Sequence, residues 1–183
     1  YTPRTLFPYT TLFRSHMAMP TEKSIQRAVE MGTKIGFTTQ PIFQYAEIET
    51  YLKNLGAERT KKTYPVQSIL RAGLKLAFSS DAPATTWADP SNPFVSIKAA
   101  TTRLAYDGTD CGQQQRVDIT TAIELYTREA QQITGIPDVG QLKLGYHADF
   151  MVLNQDILKV SPDKIDEVGV EETYMDGNLV YEK

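Results

Sequence analysis

Cysteine occurs once and histidine twice in the 183 residues. A lone thiol, Cys111, excludes an internal disulfide and fits a reducing, cytoplasmic compartment. With no second cysteine at metal-ligand spacing, it reads as a bystander thiol in a loop. Positive charge is not in excess: 19 Lys and Arg against 22 Asp and Glu give a net charge of −3. That excludes the basic patch a nucleic-acid partner needs. No apolar run approaches the ~18 residues required to span a bilayer, so no membrane partner is expected. Low-complexity linkers are lacking too. The remainder, 41% hydrophobic and 22% charged, is the composition of an ordinary globular protein.

The first fifteen residues stand apart. They contain two arginines, no acid, and Thr-Leu-Phe twice, at 5–7 and 11–13. They show no consistent helical or strand period, and no apolar core of a signal peptide. Thr5 to Ser15 resembles the in-frame translation of a sequencing-library adapter. On that reading 1–15 is a non-native segment, and the fold is carried by 16–138 and 139–183.

From residue 20 the punctuation is regular. Pro20-Thr21-Glu22 opens a helix that Gly32 ends. Lys34 to Gln40 reads as a short strand stopped by Pro41. One helix is expected over Ile42 to Leu55, then a charged connection over Ala57 to Tyr64. Pro65 starts a helix that Gly73 closes, and Leu74 to Ser79 is a strand. Helix, glycine, strand and polar tip thus occur twice, the pattern of β/α units and a parallel sheet. After a turn-rich loop, Phe94 to Tyr106 reads as a helix. A long helix capped by Asp118 or Thr120 is expected through Thr134. Beyond Val139 the helical period disappears. An apolar run at Phe150 to Leu153 and an Asp176-Gly177 turn mark a small β module.

The strand Leu74–Ser79 runs into Asp81, with Ala82-Pro83 behind it. In a parallel β/α barrel, chemistry sits at such C-terminal strand tips. Asp81 is therefore a candidate acid/base or metal ligand; an aspartate capping the following turn is the alternative. Gln40 ends the preceding strand, where it faces substrate or bonds loop backbone. Trp87, after Asp81, is either a substrate wall or an aromatic packed over the barrel mouth.

Several motifs follow one another in order: His16-Met-Ala-Met-Pro20, Thr39-Gln40-Pro41, Tyr64-Pro65 through Ala72-Gly73, and Ser79-Ser80-Asp81-Ala82-Pro83. Then come Ala122-Ile-Glu-Leu-Tyr-Thr127, Gly140-Gln-Leu-Lys-Leu-Gly145 with Ala148-Asp-Phe-Met-Val-Leu153, and Thr173-Tyr-Met-Asp-Gly177. The set resembles the C-terminal portion of the amidohydrolase superfamily, family 3. The resemblance implies an α/β fold, the C-terminal part of a (β/α)8 TIM-like barrel plus a small β-sandwich module. It implies a hydrolase of non-peptide carbon–nitrogen bonds that uses a metal-activated water on a small amide-type substrate. One or two divalent metals are implied, zinc by preference. Residue by residue, Asp81 matches the catalytic carboxylate and metal ligand of the last strand, and His16 a histidine ligand ending the sixth. Gln40 and Trp87 are the candidate substrate contacts, and a homo-oligomer is compatible. The family's His-x-His pair has no counterpart here. A zinc site takes three or four protein ligands, so the chain alone is expected to bind metal weakly and to be inactive. The rival expectation is a non-catalytic α/β binding or interaction domain.

Overall fold

The computed structural model describes residues 12–32, 35–84 and 89–183, with Leu12 and Phe13 described by backbone alone. Three strands form a parallel sheet in the order β1 (Leu12–Arg14), β2 (Ile35–Thr39), β3 (Lys75–Phe78). β2 is buried along its whole length, as a central parallel strand covered on both faces must be. In register, Phe37 lies beside Leu76 and Thr38 beside Ala77. Alternation therefore gives the sheet two different faces. Ile35, Phe37, Leu76 and Phe78 point into the main core. There they meet Val66 and Ile69 of helix α5 (Val66–Arg71) and Phe94 and Ile97 of helix α6 (Pro93–Thr102). The opposite face carries Gly36, Thr38 and Ala77. At Gly36 the missing side chain matters: a Cβ there would lie 3.1 Å from Ile133 Cγ1.

The first helix, α1 (Glu22–Glu30), starts where expected, with the Thr21 hydroxyl accepting from Ser24 N. Two long helices of the sequence reading are each broken. Ile42 to Leu55 is α2 (Pro41–Ala46) and α3 (Ile48–Leu55). The Tyr45 carbonyl accepts from Tyr106 N, and so leaves the helical ladder. The helix expected through Thr134 is α7 (Ile119–Tyr126) and α8 (Arg128–Thr134). At the break, the Thr127 hydroxyl donates back to the Ile123 carbonyl at 2.8 Å, a bond that bends helices. The charged connection holds a helical turn, α4 (Ala57–Thr60), and three buried residues, Thr60, Thr63 and Tyr64. Leu12–Arg14, without a strand period, nevertheless pairs with β2, because ladder hydrogen bonds are made by backbone. Lys34 and the loop residues 85–88 lie outside the described residues.

The C-terminal module is an antiparallel sheet, β4 (Phe150–Leu153), β5 (Val170–Met175) and β6 (Asn178–Glu182). Asp176 and Gly177 both take positive φ, as a tight two-residue hairpin demands. The module is tied to the β/α part by Ile165, fully buried in the main core, and by Lys98 on α6, which donates to both carboxylate oxygens of Asp166 at 2.9 Å. Among the described residues, no helix is long and apolar enough to cross a membrane.

Asp118 caps α7 by accepting from Thr121 N at 2.9 Å. That backbone bond holds its carboxyl below the usual aspartate value. Asp118→Ala should cost about 1 kcal/mol in a urea melt at neutral pH. A carboxyl depressed on folding stabilises above its unfolded pKa, and loses that contribution as the pH falls through the folded one. The cost should therefore shrink below about pH 4.

Candidate functional site

All three parallel strands end on the same side of the sheet. β1 delivers His16, β2 delivers Gln40, and β3 delivers Ser79 and Asp81. The His16 segment is held in place by backbone bonds. Met17 N donates to the Thr38 carbonyl at 3.1 Å, and Tyr64 N to the Ala18 carbonyl at 2.6 Å. The His16 ring lies 6.1 Å from that of Phe43. His16 and Asp81 both adopt left-handed backbone, φ 57° and 54°. Non-glycine residues pay for that conformation, and it gathers at working sites. It turns the two side chains toward each other: His16 Nε2 stands 3.5 Å from Asp81 Oδ2, both side chains partly exposed.

Beneath the pair lies a cleft of about 300 Å³ bounded by His16, Thr38, Gln40, Ser79 and Asp81, with α8 as its far wall. Gln40 is 2% exposed. Its Nε2 donates to Ser79 Oγ at 2.7 Å. The amide is thus tied to a side chain just past the end of β3, not to loop backbone. Trp87 lies outside the described residues. Nearby Asp89 is engaged locally, accepting from Ser91 N at 3.1 Å. Cys111 is in a loop but buried, and burial pushes its thiol up to about 11. His147 is half-exposed, its Nδ1 3.0 Å from Asp176 Oδ1. That hydrogen bond raises its pKa, and the residue does not line the cleft.

Thr38 and α8 were not singled out from sequence. Thr38 was legible in principle, two residues before Gln40 and so on the same strand face. The α8 wall depends on the Thr127 break, which no local signal marks.

Two ligands of one tetrahedral zinc, each at about 2.0–2.1 Å, have donor atoms roughly 3.3 Å apart. The 3.5 Å between His16 and Asp81 suits such a pair. It remains a pair: among the described residues no group of three or more His, Cys, Asp or Glu could hold a metal. The donors fit as part of a metal site and do not complete one.

The model of the amidohydrolase family matches residues 8–181. The chain belongs to the amidohydrolase family. This amidohydrolase chain is 28% identical over 172 residues to YtcJ of Bacillus subtilis (strain 168), an amidohydrolase by name. That match takes in 92% of the chain and 31% of the relative. It is 26% identical over 159 residues to the N-substituted formamide deformylase of Arthrobacter pascens, 86% of the chain and 28% of the relative. The chain therefore spans about three-tenths of these curated relatives. A metal-dependent hydrolase from Pyrococcus horikoshii OT3, itself uncharacterized, superposes with a TM-score of 0.68 at 23% identity, over 81% of the chain and 30% of that protein. The β/α units are accordingly the C-terminal part of a (β/α)8 barrel, and β4–β6 belong to the small sandwich module that accompanies it.

Proposed function

We propose that this amidohydrolase chain is the C-terminal part of a cytoplasmic, metal-dependent hydrolase that cleaves non-peptide carbon–nitrogen bonds in small amide-type molecules. The observation that carries the reading is the convergence of His16 Nε2 and Asp81 Oδ2, 3.5 Å apart at the C-terminal ends of parallel strands. One imidazole nitrogen and one carboxylate oxygen suit zinc. What a bound divalent ion supplies is a water acidified toward neutral pH, the nucleophile for an amide carbonyl. With such an ion held, Asp81 would be the base that takes the proton of that water and the acid that returns it to the departing nitrogen. His16 is the second protein ligand of that site, while Gln40 and Trp87 contact substrate. Residues 16–138 supply the last β/α units and 139–183 the sandwich strands, with 1–15 a non-native, adapter-like segment that contains β1. With two ligands in place of three or four, the 183-residue chain binds zinc only weakly and does not turn over.

Zinc titration followed at the His16 ring resonances tests this. A weak, saturable shift is expected, abolished by Asp81→Ala, with amide hydrolysis at background. A His16 ring that ignores zinc overturns the metal reading. One equivalent of zinc retained through dialysis against a chelator overturns the two-ligand reading.

A further inference from the structure

Two polar atoms of residues that line the cleft are unpaired among the described residues. Gln40 Oε1 and Thr38 Oγ are buried, with no hydrogen-bond partner among the described residues. They belong to residues two apart on one strand, hence on one face, and both residues line the cleft. Gln40 Nε2 is paired with Ser79 Oγ at 2.7 Å, while Oε1 is not. A buried acceptor left unpaired costs about 1–3 kcal/mol. A ligand that brings a donor recovers that cost, and one that does not leaves it in place.

We propose that Gln40 and Thr38 make this cleft selective for amides that carry an N–H. Gln40 Oε1 accepts from the amide N–H, and the Thr38 hydroxyl donates to the amide carbonyl. Secondary amides satisfy both groups. Tertiary amides and esters, with no N–H, satisfy only the hydroxyl. Ala77 and Ala130 make part of the lining apolar. That lowers the local dielectric and strengthens each hydrogen bond made there. The proposal rests on the reading of this cleft as the substrate site, and names the class of substrate it takes.

The test uses the full 183-residue chain, isotope-labelled for NMR and kept in chelator, so that metal binding plays no part. N-benzylacetamide and N-benzyl-N-methylacetamide differ in having or lacking the N–H. The secondary amide is expected to bind about tenfold more tightly. Gln40→Leu should bring the two affinities together. Gln40→Glu keeps an acceptor oxygen and should retain the preference. Equal affinities in the unaltered chain overturn the proposal and leave the cleft as an amide site. No response of cleft resonances to either compound overturns both. A preference lost in Gln40→Glu shows that Gln40 offers an N–H rather than an oxygen, and overturns the assignment of Gln40 as acceptor.

Discussion

Replacing Arg103 with methionine is expected to lower the unfolding free energy by about 3–5 kcal/mol, read as a fall in the urea midpoint. Arg103 is 1% exposed. Among the described residues no carboxylate meets it directly. Its guanidinium donates to four backbone carbonyls: Nε to Gly112 at 3.3 Å, Nη1 to Tyr64 at 3.3 Å, and Nη2 to Thr63 at 2.9 Å and Cys111 at 2.6 Å. Burial pushes its pKa down to about 10, which still leaves it charged at neutral pH. Two loops, 60–65 and 103–112, therefore close on a single cation. Methionine fills much of the volume but makes none of the bonds, so carbonyls buried for this purpose lose their donor. Arg103→Lys should also be costly, because one ammonium cannot reproduce the planar fork. An unchanged midpoint in the methionine variant would mean that these carbonyls find other donors, and the lock would be dispensable. The lock also bears on the cleft. Tyr64, whose carbonyl Arg103 holds, donates its N–H to Ala18, two residues from His16.

The same contacts explain what was legible beforehand. The starts and stops of α1, β2, β3 and the Asp176-Gly177 hairpin follow from local chemistry: Thr21 at a cap, Pro41 after a strand, Gly73 before one. The break at Glu47 depends on a bond made elsewhere, whereas at Thr127 the hydroxyl bonds the Ile123 carbonyl locally. Tyr45 gives up its helical partner to Tyr106, sixty-one residues on. The burial of Thr63 and Tyr64 in a charged segment follows from Arg103, some forty residues downstream, and Thr60 is held by Gln44. Asp81 could be noticed because a strand stops abruptly before it. That Ser79 would tether Gln40 could not, because it depends on the β2–β3 register, which neither strand encodes alone. His16 is the extreme case. Its neighbours upstream carry no strand pattern, and it reaches Asp81 only because backbone pairing with β2 asks nothing of side chains.

Gly112→Ala should be the second severe substitution, costing about 3 kcal/mol or more. Gly112 sits at φ +91°, and a Cβ built there would lie 2.2 Å from the Lys61 carbonyl oxygen. Positive φ alone costs an L-residue roughly 1–2 kcal/mol. The overlap is with backbone, so relief requires one loop to move. Neither loop is free to do so. Gly112 N is held by Asp110 Oδ1 at 2.8 Å, and its carbonyl accepts from Arg103. Lys61 lies beside Thr60, whose carbonyl accepts from Gln44 Nε2 at 2.9 Å, and the same Nε2 donates to the Cys111 carbonyl. Any shift that admits the methyl group must strain the Arg103 fork. The two substitutions should therefore be strongly non-additive. Once Arg103→Met has released the loop, Gly112→Ala should cost about 1–2 kcal/mol, the backbone conformation alone. A double-mutant cycle in urea measures the difference. Strict additivity would show that the clash relaxes independently of the guanidinium, and would separate the two contacts that here act as one fastening.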